Sequence, residues 1–257
     1  MRRLLSLFLL SPIALSAQDS NCTILGIQDL SQVYQNLLDA HAELQQTVDS
    51  LQIAIENPPC GSIVAFDGRG YETVGIGDQC WFAENLRTTV YADGSAIPEV
   101  TGDSNWSGLS TGARCDYNNP GGNQATHGRL YNWYAVDDAR GLCPSGWHVP
   151  TDGEWTDLEN YITSQGFSGT EGTALKSTSG WDSDNASDDF GFSALPGGDR
   201  YNSGYFNDAG NRGYWWSSSP SGGNAWSRYL YHSIPDVFRY NFNPRYGFSV
   251  RCLRDAD

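Results

Sequence analysis

Cys143-Pro144-Ser145-Gly146-Trp147-His148-Val149-Pro150-Thr151-Asp152-Gly153-Glu154-Trp155 is the stretch on which the reading of this chain turns. It closes on a strong helix start: Thr151 is a good N-cap residue and Glu154 stands three positions on, the spacing of a capping box. Trp155, Leu158, Tyr161 and Ile162 then recur at helical spacing and give one apolar face, which Gly166 ends. On either side of this helix the chain, from Cys60 onward, is rich in Gly, Asn, Ser and aromatic residues. Short alternating runs such as Tyr71–Ile76 and Phe248–Leu253 read as strands between turns. A second short helix is predicted over Gly128–Arg140, carrying Leu130, Trp133, Tyr134 and Val136. Few helices, short strands and many turns make an α+β, loop-rich head.

Composition agrees. The chain has 257 residues, with 15 Lys and Arg against 30 Asp and Glu, a net charge of −15. Nucleic acid and anionic membrane surfaces need clustered positive charge, so neither is an expected partner. A 39% hydrophobic content with nine Trp excludes disorder, and 29 Gly with only 18% charged residues does not suit a helical bundle.

Two segments precede the head. Residues 1–17 read as a secretory signal peptide: Arg2 and Arg3, the apolar run Leu4–Leu10, Pro12, then small residues up to Ala17. That run is too short to span a bilayer and no other approaches the required length, so an exported protein without a transmembrane segment is expected, secreted or held at the cell surface. Over residues 24–56, Leu30, Leu37, Leu44 and Leu51 fall seven apart, as do Ile27, Tyr34, His41, Val48 and Ile55 in the complementary position. This a/d pattern predicts a coiled-coil helix that self-associates as a dimer or trimer. The competing reading is an amphipathic helix folded back on the head. Asn57-Pro58-Pro59 ends the helix and opens a linker over 57–61, with the head following over 62–254. Cys22 and Cys60 bracket the helix, and in a parallel bundle each lies near its symmetry mate, a setting for interchain disulfides. No two of the six cysteines have Cys-x-x-Cys spacing, so disulfides are expected, with fifteen pairings open.

Six motifs of the head occur in a recognisable order: Gln79-Cys80-Trp81-Phe82-Ala83-Glu84-Asn85-Leu86-Arg87, Gly128-Arg129-Leu130-Tyr131-Asn132-Trp133, Cys143–Pro150, Gly191-Phe192-Ser193-Ala194-Leu195-Pro196-Gly197-Gly198, Trp215-Trp216-Ser217-Ser218-Ser219 and Gly247-Phe248-Ser249-Val250-Arg251-Cys252. Together they resemble the Fibrobacter succinogenes major paralogous domain, a family of exported bacterial proteins. More distantly, Trp147–Trp155 and Gly247-Phe248 are similar to the formylglycine-generating-enzyme branch of the C-type-lectin-like fold. The resemblance implies that two-sheet fold. It also implies a cystine between Cys143 and Cys252, tying the helix region to the last strand, and suggests Cys80 with Cys115.

Enzymes of that fold branch use paired cysteines at copper or iron-bound histidines. Ser219–Tyr246 contains no cysteine and one histidine, His232, too few ligands for a catalytic metal. His148 reads as a hydrogen-bonded structural residue and His127 as a loop residue. The oxidase and hydrolase readings are therefore the alternatives, and a non-catalytic binder of a protein or glycan is the expectation. Its supporting signal is charge and ring content. Residues 137–198 hold eleven acids and two bases, whereas 199–254 hold seven Arg and three acids together with seven Tyr and three Trp. Such residues build recognition surfaces. Within Tyr229–Tyr246, Leu230, Val237 and Phe242 are expected inside, leaving Tyr229, Tyr231, His232, Asp236, Arg239, Asn241, Asn243 and Arg245 as the candidate ligand-binding residues. Trp147, Trp155, Trp215 and Trp216 are expected in the core. Asp182, Asp184 and Asp188 are candidate ligands for a structural calcium, against a solvated acidic loop as the plainer reading. No other cofactor is expected. A structural envelope protein is the remaining alternative.

Overall fold

The computed structural model describes residues 25–56, 59–119, 124–183 and 185–255. The expected signal peptide, Cys22, Asp184 and the first two linker residues lie outside this set. The chain divides between Ile53 and Ala54 into two compact units. Among the described residues no helix is long and apolar enough to cross a membrane.

The first unit holds all but the last turn of the long helix α1, Leu25–Glu56. Its heptad positions Leu30, Tyr34, Leu37, Leu44, Val48 and Leu51 are all exposed in the single chain, Leu37 at 64%.

The second unit is the α+β head. Its elements in chain order are β1 (Ile63–Phe66), β2 (Arg69–Ile76), β3 (Gln79–Phe82), α2 (Asp103–Ser107), β4 (Arg114–Cys115), α3 (Gln124–His127), β5 (Leu130–Asn132), α4 (Trp133–Val136), α5 (Asp152–Ile162), α6 (Glu171–Leu175), β6 (Gly197–Arg200), β7 (Phe206–Ala209), β8 (Arg212–Ser221), β9 (Asn224–Tyr231), β10 (Phe238–Phe242), β11 (Gly247–Phe248) and β12 (Leu253–Asp255). One sheet runs β1-β2-β3-β12, and a larger one runs β10-β9-β8-β6-β11-β5-β4 with β7 beside β6.

Helix α5 starts where the capping signal places it. Thr151 Oγ1 accepts from the Glu154 N–H, and Glu154 Oε2 accepts from the Thr151 N–H at 2.7 Å. Burial alone would raise the Glu154 carboxyl, but bonds from His148 and Thr151 outweigh it and hold it at about 2. Trp155, Leu158 and Ile162 are buried, and a single π-turn over Thr163–Phe167 ends the helix with Gly166 at φ 99°. Trp147, Trp155, Trp215 and Trp216 are all in the core.

Two expectations need correction. The helix over Gly128–Arg140 shrinks to Trp133–Val136, because Asn132 caps it by accepting from the Ala135 N–H while Leu130 and Tyr131 pair into the larger sheet. The single strand Phe248–Leu253 is two strands. The chain leaves the larger sheet after Phe248 and enters the smaller one at Leu253, so this short run joins both sheets. Cystines join Cys143 to Cys252, as the resemblance implied, and Cys60 to Cys80. Cys80 therefore does not pair with Cys115, which is buried and free, and Cys60 is not available for an interchain bond. Desolvation in the core pushes the Cys115 thiol up to about 12.

Arg251 lies in the connecting run, fully buried. Its guanidinium donates to Asn85 Oδ1 at 2.8 Å and to the carbonyls of Phe82, Phe192 and Ser193 at 2.7–2.9 Å. Removing it strands several buried acceptors at once. Arg251→Ala is expected to destabilise the head by more than about 3 kcal/mol, read as a fall in the urea midpoint, whereas Arg69→Ala on the half-exposed second strand changes it by under about 0.5 kcal/mol.

Candidate functional site

Alternation along β8, β9 and β10 sorts the aromatic-rich C-terminal segment into two faces. Tyr229 pairs with Tyr214 on β8 and with Phe238 on β10. Arg228 pairs with Trp215 and with Arg239. One face therefore carries Arg212, Tyr214, Trp216, Tyr229, Tyr231, Phe238, Tyr240 and Phe242. The other carries Trp215, Trp226, Arg228, Leu230, Arg239 and Asn241, with α5 packed on it.

The candidate residues are split accordingly. Arg239 forms a two-pronged pair with the Asp152 carboxylate at 2.7–2.9 Å and stacks on Trp226, its guanidinium carbon 3.4 Å from the ring centroid. Buried Arg228 donates to Asp152 at 2.7 Å and to Glu159. Two arginines of the 199–254 stretch, Arg228 and Arg239, thus pair with Asp152 and Glu159 of the acidic 137–198 stretch across the α5 interface and do not form an unpaired basic surface. Asn241 bonds Asn224 and Ser221. Arg245 donates to the Leu109 carbonyl at 3.0 Å, and Asn243 Oδ1 accepts from the Arg245 N–H, so both hold the turn before β11. Tyr231 lies edge-on to His232 with Arg212 over its own ring, and Asp236 is exposed. Leu230 is buried and Phe242 and Val237 are partly so, as expected. Of the calcium candidates, Asp188 accepts from the Ser193 N–H and hydroxyl at 2.7 and 2.6 Å and Asp184 is outside the described residues, among which no three His, Cys, Asp or Glu side chains gather as a metal-holding group. His148 bonds Glu154 at 2.7 Å.

What the fold does build is a cavity of about 200 Å³ on the first face, lined by Asp199, Tyr201, Asp208, Arg212, Tyr214, Tyr229, Phe242 and Tyr246. The rings form a continuous wall, with centroids 4.8 Å apart for Tyr201–Tyr246, 5.1 Å for Phe242–Tyr246, 6.0 Å for Tyr214–Phe242 and 5.4 Å for Tyr214–Tyr229. Tyr201 stands at the rim, 45% exposed. Its loop is fixed by buried Arg200, which donates to the carbonyls of Gly204, Val100 and Thr101.

The two carboxylates differ. Asp208 Oδ2 accepts from Arg212 at 2.9 Å and from the Tyr214 hydroxyl at 3.0 Å. Asp199, from β6, is only 2% exposed, and no donor among the described residues reaches its buried Oδ2. Its strand is pressed against β7: a Cβ on the preceding Gly198, at φ +66°, would sit 2.4 Å from the Asn207 carbonyl oxygen. Burial pushes the Asp199 carboxyl up to about 8, with the Asp208 charge adding to the rise and Arg212 opposing it.

Of this lining the sequence names Tyr229 as a ligand candidate and Phe242 as an inward residue. Tyr201, Tyr214 and Tyr246 fall in the ring-rich 199–254 stretch, and Asp199 and Asp208 carry no local signal.

A family model, the Fibrobacter succinogenes major domain, matches residues 74–254. The chain belongs to that family. No curated protein and no solved structure gives a match. The matched region of this Fibrobacter succinogenes major domain protein contains every residue of the cavity, and α1 lies outside it.

The raised Asp199 carboxyl has a consequence for stability. Its folded value lies above the unfolded one, so the folded state holds the proton more tightly and stability falls as pH rises from about 4 to about 8. Asp199→Asn is expected to remove that fall, worth on the order of a few kcal/mol, measured as urea midpoints of the two proteins between pH 5 and 9.

Proposed function

We propose that this is an exported, non-catalytic recognition protein with a C-type-lectin-like head that binds a protein or glycan and is multiplied by its N-terminal helix. The observation that carries the reading is the open cavity walled by five aromatic side chains on the outer half of the larger sheet. Rigid rings with polar tips give contact area at small entropic cost. The exposed heptad seam of α1 fits a self-associating stalk, since a second copy would bury those leucines. Joining several heads turns weak contacts into avidity. Export fits the signal-like leader and the two cystines.

A hydrolase is the second reading, because two carboxylates with opposed environments share one aromatic cavity. Against it, Asp208 is held by Arg212 and Tyr214.

Full-length protein on glycan and surface-protein arrays is expected to give binding that Tyr201→Ala with Tyr229→Ala weakens at least about tenfold, with the circular dichroism spectrum unchanged. Equal binding by the double variant, or recovery of a cleaved glycan, would sink the reading. For the stalk, Leu37→Ser with Leu44→Ser is expected to convert an oligomer to a monomer in sedimentation equilibrium; a monomeric parent protein would remove the avidity argument.

A further inference from the structure

We infer that the cavity recognises an alkylated ammonium group, with Asp199 as its counter-ion and the rings of Tyr201, Tyr214, Tyr229, Phe242 and Tyr246 around it. The inference deepens the binding reading and rests on it.

Three observations converge. First, five aromatic rings line the cavity; Tyr214 and Tyr229 stack between Phe248 and Phe238, which leaves Tyr201, Phe242 and Tyr246 as the rings whose electron-rich faces attract a weakly hydrated cation. Second, the cavity holds an unanswered acid. Asp208 and Arg212 neutralise each other at 2.9 Å, and the Arg212 guanidinium also lies over Tyr231 at 4.9 Å. Asp199 remains, almost wholly buried, with Oδ2 lacking any donor among the described residues. A buried carboxyl without a partner is costly, and a ligand that supplies the missing positive charge recovers that cost. Third, the space is small. About 200 Å³ is below the range of drug-sized ligand sites and suits a headgroup rather than an extended chain. An anion would face Asp199 and Asp208 at close range, and a neutral group would leave the ionised form of Asp199 without a counter-charge.

The charge state of Asp199 adds a signature. Its carboxyl is raised by burial to about 8, with Asp208 on β7, Arg212 and Tyr214 on β8, Tyr229 on β9, and the hydroxyls of Tyr117, Tyr201 and Tyr246 as the other titratable groups around it. A cation that binds the ionised form displaces a proton, so affinity rises with pH between 6 and 8.

The test uses the full chain and three probes followed by isothermal titration and tyrosine NMR shifts: choline, an Nε-trimethyllysine amide, and 3,3-dimethylbutan-1-ol, the uncharged carbon analogue of choline. Saturable binding is expected for at least one cation, at least tenfold tighter than the neutral analogue and tighter at pH 8 than at pH 6. Choline as the better ligand indicates a free small molecule, and the lysine derivative a protein side chain. Asp199→Asn, close in shape, and Tyr201→Ala, at the rim, are each expected to weaken the cation at least about fivefold. Equal affinity for the neutral analogue, full binding by Asp199→Asn, or no saturable binding of either cation overturns the inference. If array binding that depends on Tyr201 and Tyr229 persists in that last case, the recognition reading stands and only the ligand class falls.

Discussion

Arg251 holds the head together at the point where its two sheets meet. A loop-rich domain leaves many backbone carbonyls outside any ladder, and each buried one needs a donor. The guanidinium of Arg251 supplies donors to Phe82, Phe192, Ser193 and Asn85 from a residue lying between β11 and β12. Arg200 does the same for Val100, Thr101 and Gly204, and Arg228 ties β9 to α5 through Asp152 and Glu159. Arginine suits this work because its planar fork reaches several acceptors at once and stays charged when buried.

Once the arginines are spent on the frame, the location of the functional surface changes. The seven arginines of the last stretch look like an external basic patch in one dimension. Arg200, Arg228, Arg251 and Arg254 are buried, and Arg239 is committed to Asp152. The tyrosines between them are what remains. Strand alternation puts Tyr214, Tyr229 and Phe242 on the face away from α5, where the chain returns as Tyr201 after β6 and as Tyr246 before β11. A cavity arises because residues of several separate segments converge there.

The contrast between the two carboxylates follows from the same geometry. Asp208 sits in a left-handed turn position at φ 67° and meets Arg212 across the β7–β8 connection. Asp199, nine residues earlier, lies in a strand whose neighbours bring no donor to its Oδ2, and the nearby Arg212 is paired with Asp208. Similar side chains a short distance apart thereby acquire opposite environments.

Local chemistry was legible in the sequence. The Thr151–Glu154 capping box, the apolar face of α5 and the buried tryptophans depend on neighbours within a few residues or on hydrophobicity alone, and the ordered motifs carried the family. The heptads of α1 likewise mark its exposed apolar seam. Long-range choices were not legible. Cys80 meets Cys60 rather than Cys115 because β2 and β3 bring those two together, and Phe248–Leu253 divides between two sheets because its halves find different partners. Nothing near Asp199 announces that it will be buried without a donor. Its state is set by β7, β8 and the returning loops, and only packing in three dimensions decides which polar groups are answered and which are left for a ligand.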